Sequence, residues 1–339
     1  MSITKFTTMV RGINREKSSP LRIVSFSVHE GFQTELAKTG NEFIHVESPE
    51  GKKWDVDYRE IPHNIIETSF ESFLKTDAVD IVLSHTLAQR ESISDFCKQL
   101  NIPHVSLMHC YPNPGFSDRM IEEIKAKNIA DWNVFTTDDS MKEWGYSGED
   151  NALVIKHAID TDIFNCWNPS GPSVLTVAND YRERSSELGY DRYEILLKMF
   201  GENARIFNHV GKSPDGWSSP ASSIKDLAKK YETNKIFLNT CHRSVLPTTL
   251  LEAMSTGMPV ISASNPTISS LIKNGENGFV ADDVNEIAKY IDLLLKDDEL
   301  CAKIGMNARE TVLNKFSIDQ SSLSWNNLFG ALLVENRRN

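Results

Sequence analysis

Cysteine is scarce and scattered in this sequence. Its 339 residues hold five, Cys97, Cys110, Cys166, Cys241 and Cys301, an odd number with no C-x-x-C pair. That pattern argues against a disulfide framework or a cysteine zinc site and fits a reducing cytoplasm. Long hydrophobic runs are missing too. No apolar stretch approaches the roughly 18 residues of a membrane span. Met1–Pro20 carries charges and no apolar centre, so a secretory signal is not expected there. Positive charge is in deficit: 36 Lys and Arg stand against 47 Asp and Glu, a net charge of −11. A broad basic face for nucleic acid or an anionic membrane is therefore not expected, although a local basic pocket is compatible. No D-x-D motif follows an apolar stretch, and Asp138-Asp139 opens a helical pattern, where acidic residues suit the first turn.

What is present is an alternation. Short apolar runs at 21–28, 43–46, 79–83, 103–108, 133–136 and 151–155 predict strands. Between them, 32–38, 62–76, 90–100 and 121–127 have helical spacing. Uniformly apolar strands separated by helices are the pattern of a parallel sheet covered on both faces. Asn165–Pro172 (NCWNPSGP) predicts a linker. The alternation restarts beyond it, with strands at 173–178, 204–210, 236–238, 259–262 and 278–281. Helices are expected at 193–199, 224–231, 247–256, 268–274, 284–296 and 299–315.

The length suits two domains of roughly 150 residues. The division expected is an arm over 1–20, a Rossmann-like domain over 21–165, a second over 166–318, and a final helix in 319–339 returning to the first. Two such domains would face across a cleft. Polar residues cluster just after the apolar runs: His29, Glu30, His85, His109, Thr137, Asp138 and His157. In open α/β sheets the carboxyl ends of the strands form the ligand crevice.

Four or five stretches carry a family resemblance, in order. Thr248–Ile261 (TTLLEAMSTGMPVI) resembles the "LEAMAxGxPVI" signature of retaining family-4 glycosyltransferases with the GT-B fold. Val154–Phe164 is similar to that family's "xNGxDxxxF", Ile272–Val280 to "VxxGxxGxLV", Ile304–Phe316 to "GxxARxxVxxxF", and Pro103–His109 to its "P-V-V-x-T-x-H" strand end. The resemblance covers roughly residues 21–330 and implies an enzyme that moves a sugar from a nucleotide-diphosphate sugar to an acceptor hydroxyl with retention, without a metal.

It also implies a site. Glu252 would accept hydrogen bonds from the nucleotide ribose, and Thr248 and Thr249, in the first turn of the same helix, would meet the diphosphate. A helix N-terminus offers unpaired N–H groups and partial positive charge, which suits phosphate. The family's first glutamate, eight positions before Glu252, is replaced by Ser244; Ser244 or His242 would contact the sugar in its stead. The family's basic pair after the first strand of the second domain is not matched, since Leu188 stands where Lys is usual. Arg184, and after it Arg182, are the substitutes, because guanidinium binds phosphate oxygens bidentately; Lys212 is a third cation in reach. In the first domain His109 would lie at the donor sugar and acceptor, and Glu30, Gly31 and His85 on the acceptor side. Catalysis would be electrostatic, the leaving phosphate itself helping to deprotonate the acceptor.

Competing expectations are a degenerate nucleotide-sugar- or partner-binding protein of the same fold, motivated by Ser244 and Leu188, and a glycosyltransferase acting on modified DNA bases, against which the net charge weighs. An epimerase of the same fold lacks the order of motifs. A Cys-His hydrolase on His109-Cys110 is disfavoured because adjacent residues rarely point at each other. The sugar, the base, the acceptor and the oligomeric state are not legible.

Overall fold

The computed structural model describes residues 19–26, 29–47, 53–69, 72 and 79–336. The central apolar runs become strands because they are buried on both faces: Ile23, Val24, Ile81, Val82, Leu83 and Val105 are fully inaccessible. The chain runs β1 (Arg22–Phe26), α1 (Glu30–Ala37), β2 (Glu42–Val46), β3 (Ile65–Thr68), β4 (Ile81–Ser84), α2 (Leu87–Leu100), β5 (His104–Met108), α3 (Asp118–Ala126), β6 (Trp132–Phe135), α4 (Asp138–Glu143) and β7 (Ala152–Val154). These strands pair in parallel in the order β3-β2-β1-β4-β5-β6-β7.

Further on come β8 (Val174–Val177), α5 (Ser185–Leu188), α6 (Tyr190–Phe200), a 3-10 turn (Gly201–Ile206), β9 (Phe207–Val210), α7 (Ile224–Thr233), β10 (Ile236–Asn239), α8 (Thr248–Thr256), β11 (Val260–Ser262), α9 (Pro266–Leu271), β12 (Phe279–Val280), α10 (Val284–Lys296), α11 (Asp298–Lys315) and α12 (Ile318–Asn336). The second sheet, β12-β11-β10-β8-β9, is also parallel throughout.

The chain divides into two compact units. One runs to Ala158 and resumes at Ile318; the other is Ile159–Ser317. The last helix belongs to the first unit because it supplies that unit's core: Trp325, Leu328, Phe329 and Leu332 pack with Ile23, Phe32, Phe43 and Leu107.

Four sequence expectations are corrected. Residues 62–76 were expected to be one helix, but Ile65–Thr68 is an edge strand paired to β2. Its Ile65, Ile66 and Thr68 are β-branched, which favours extended backbone; 70–71 and 73–78 lie outside the described residues. The strand expected from Ala204 begins at Phe207, after the 3-10 turn. The Asn165–Pro172 stretch is no free linker: Asn168 and Ser170 N–H donate to the carbonyls of Glu232 and Thr233, and Trp167 Nε1 to that of Asn234 at 3.0 Å. The division between units falls ahead of it, at Ala158. The expected arm, but for its last two residues, lies outside the described residues.

Candidate functional site

In the second unit the carboxyl ends of β8, β10 and β11 carry loops sewn to one another. Gly189 has φ +75°, and a Cβ there would sit 1.9 Å from the Thr240 carbonyl oxygen, so only glycine lets these loops meet. Gly211 is equally constrained, with the Ala178 oxygen 1.7 Å from where its Cβ would lie. His242 and Arg243 N–H donate to the Glu187 carbonyl at 2.8 and 3.1 Å. Asn265 Nδ2 donates to the carbonyls of Ser244 and Val245 at 2.6 and 2.9 Å, while its Oδ1 caps α9. Ser244 is thereby pinned through its backbone, and its hydroxyl makes no hydrogen bond among the described residues.

That frame delivers the start of α8. The usual helix start here has a side-chain acceptor, as Ser223 gives α7 and Asp283 gives α10. Helix α8 begins at Pro247, with no side-chain cap and no acidic residue in its first turn. The amides of Thr248 and Thr249 have no partner among the described residues. Both point, by the sense of an α-helix, back towards the carboxyl end of β10. Glu252, one turn on, is half-buried and accepts from the hydroxyl of fully buried Tyr231 at 2.8 Å.

The cations are arranged differently from expectation. Arg184 is exposed and bonds Glu187 through Nε and Nη2 at 3.1 and 2.7 Å. Arg182 pairs with Asp215 at 2.7 Å, donates to the Tyr190 hydroxyl, and stacks 4.3 Å from the Trp217 ring centroid. Arg184 is thus held by a carboxylate three residues along, and Arg182 by one from the loop after β9. Lys212 is exposed and makes no ion pair among the described residues. Arg192 was missed. It is largely buried, donates to the Thr240 carbonyl at 3.3 Å and faces Asp282 at 3.2 Å, which also accepts from Ser264. A signal existed: a cation in a helix's first turn opposes the dipole and needs a reason. His242 Nε2 lies 2.7 Å from Asp191.

In the first unit a period of two along the strands keeps side chains on one face. Continuing from Ile23, Phe43, Leu83, Leu107 and Ile155 of the core, the next same-face positions are Ser25, His45, His85, His109 and His157. Ring contacts bear this out, since the rings of His85, His109 and His157 all stand nearly perpendicular to that of Phe32 of α1, with centroids 5.7, 5.1 and 5.8 Å away. His29 caps α1 by accepting from Phe32 N–H at 3.2 Å and stacks on His109.

His85 Nε2 is 2.7 Å from Ser25 Oγ and its Nδ1 is 3.0 Å from His109 Nε2. His85 is therefore buried with both nitrogens occupied, which removes it as a direct acceptor contact. Burial holds His85 and His157 at a pKa of about 3, and burial with the neighbouring imidazoles holds His109 well below the ordinary range. All three are neutral near pH 7. His109 is only partly exposed. Glu30 Oε1 accepts from Asp55 N–H at 2.9 Å, and Gly31 lies inside the first turn of α1 with ordinary helical backbone, not in a phosphate-cradling loop.

Known proteins agree with this architecture. Residues 219–311 match the family model "Glycosyl transferases group 1". Over 107 residues the chain is 32% identical to the capsular polysaccharide biosynthesis glycosyltransferase CapM of Staphylococcus aureus, covering 31% of this chain and 27% of that protein. It is 29% identical over 108 residues to a poly(ribitol-phosphate) alpha-N-acetylglucosaminyltransferase of Staphylococcus aureus (strain COL), covering 30% and 22%. The chain spans well under half the length of these curated relatives.

Among solved structures, Anabaena Alr3699/HepE in complex with UDP and glucose superposes with a TM-score of 0.73 at 12% identity, over 91% of this chain and 99% of that one. Sucrose-phosphate synthase from Thermosynechococcus elongatus gives 0.68 at 14%, over 93% and 100%. At these identities the likeness is one of fold. The chain thus has the α/β, parallel-sheet fold of GT-B glycosyltransferases, and its second unit contains a segment that matches the glycosyl transferases group 1 model.

Proposed function

We propose that this protein is a glycosyltransferase that moves a sugar from a nucleotide-diphosphate sugar to an acceptor hydroxyl, with retention and without a metal. The observation that carries the proposal is the uncapped start of α8. Two amides without partners stand at the carboxyl end of a parallel strand, inside the segment that matches glycosyl transferases group 1. Pyrophosphate is the ligand chemistry such an end accepts.

In this proposal the diphosphate sits on Thr248 and Thr249, with Lys212 supplying charge and Arg184 exchanging Glu187 for phosphate. Glu252, oriented by Tyr231, accepts from the ribose hydroxyls. The sugar lies towards Ser244. In the first unit, His109 is the residue proposed to meet a sugar or acceptor oxygen. The anomeric carbon–oxygen bond to the pyrophosphate breaks, the acceptor oxygen bonds the same face, and its proton passes to the departing phosphate. That HepE was crystallised with UDP and with UDP-glucose supports a uridine donor as the first to try. Among the described residues no helix is long and apolar enough to cross a membrane.

The test is a thermal-shift screen of UDP-, GDP- and ADP-sugars, followed by product analysis with and without EDTA. A true donor at about 100 times its Kd adds about 2.7 kcal/mol, several degrees in Tm. The product should keep the donor's anomeric configuration at an EDTA-independent rate. Tight binding with no transfer from any donor supports the degenerate binding protein instead.

A further inference from the structure

We propose that Ser25 and His85 are positioning residues that set the tautomer of His109, so that His109 offers an Nδ1–H donor, not a basic lone pair, to the oxygen it meets. The inference rests on the proposed contact between His109 and substrate. Its premise is the chain from Ser25 Oγ through His85 to His109, with links of 2.7 and 3.0 Å.

The direction of that chain follows from Ser25. Its side chain is fully buried and bonds no described group other than His85. A buried hydroxyl proton without an acceptor is costly, so the hydroxyl donates to His85 Nε2. His85 is 5% exposed and burial keeps it neutral, so it carries a single N–H. With Nε2 accepting, that proton is on Nδ1, where it is donated to His109 Nε2. His109, neutral too, then keeps its own proton on Nδ1. That nitrogen has no partner among the described residues.

The reverse direction would strand the Ser25 proton. The ring is held in place as well. His85, His29 and His157 lie near-parallel to it at 5.3, 6.3 and 6.1 Å, and the Phe32 ring stands nearly perpendicular to it at 5.1 Å. A neutral imidazole donor stabilises negative charge developing on a sugar or phosphate oxygen, and it leaves deprotonation of the acceptor to the departing phosphate.

The experiment has two arms. With ¹⁵N-histidine, long-range ¹H–¹⁵N correlation spectra of the wild-type protein near pH 7.5 report each tautomer. The chain requires His85 and His109 both protonated on Nδ1, and an Nε2-protonated His109 overturns the proposal whether or not the protein transfers sugar.

The second arm compares Ser25→Ala with Ser25→Thr. Loss of the hydroxyl should lower kcat on the order of tenfold with donor KM unchanged, and threonine should restore it. A folded Ser25→Ala protein with wild-type kcat and an unmoved His109 tautomer also overturns the proposal. Should no donor be turned over, the function proposed above fails while the tautomer spectrum still decides this one.

Discussion

Glu252 depends on a residue far from it in sequence. The Tyr231 hydroxyl donates to its carboxylate from the end of another helix, and the ring is wedged between Phe164 and Phe237. Tyr231→Phe keeps that packing and removes one hydrogen bond that orients the carboxylate. Donor affinity should fall about three- to tenfold, which is roughly 1 kcal/mol, part of the worth of the lost orienting hydrogen bond. Calorimetric titration of wild type and variant checks this, and equal affinities would remove Glu252 from the ribose.

Gly189 makes a harsher prediction. Gly189→Ala drives a methyl into the Thr240 carbonyl and forces an L-residue into the left-handed region. A loss of about 2–4 kcal/mol in urea unfolding is expected. At this scale the candidate residues could be named from the sequence because the family resemblance marks their positions. Their partners were not. Tyr231, Asp215 and Asp282 are brought in by tertiary packing, so Arg182 looked free and Arg192 looked unremarkable.

At the scale of elements, the first turn of α8 is where helix stability and ligand binding should conflict. Thr248→Asp places a carboxylate against the unpaired amides. The helix gains about 0.3–1 kcal/mol from its dipole, so the ligand-free Tm should rise slightly. The same charge should weaken nucleotide-sugar binding at least tenfold. Differential scanning calorimetry with and without donor reads both signs, and a variant that binds donor as tightly as wild type contradicts the anion site.

Elements were legible wherever buried strands alternate with helices of clear apolar spacing, as from β10 to α11. They were misread where two periodicities overlap. Ile65, Ile66, Phe70, Phe73 and Leu74 fit a helical stripe, yet Ile65–Thr68 pairs as an edge strand with Ile66 largely exposed. The His85–His109 link was invisible for a similar reason, since nothing in one sequence tells which strands are neighbours.

For the molecule as a whole, the buried imidazoles are unevenly shared. Burial holds His45, His85 and His157 at about 3 and His104 at about 4 in the first unit; the second unit has His209, held at about 4. These folded-state values lie below the ordinary 6.5, so the unfolded chain binds more protons as pH falls. Stability is therefore full above pH 6.5 and is lost from there towards pH 4, by about 1.4 kcal/mol per pH unit for each such histidine.

The first unit should accordingly open at higher pH than the second. Amide hydrogen exchange from pH 7 to 5 should show protection falling in β1, β2 and β4 before β10 and β11. His45→Phe, which replaces a ring whose two nitrogens have no partner, should narrow the difference.

The most direct test of the donor site is a titration of the ¹⁵N-labelled protein with UDP, followed by the backbone amide signals of Thr248 and Thr249. The account predicts that these two amides move downfield more than those of any other helix start, and saturate with the binding curve measured by calorimetry. UDP that binds while both signals stay in place would contradict it.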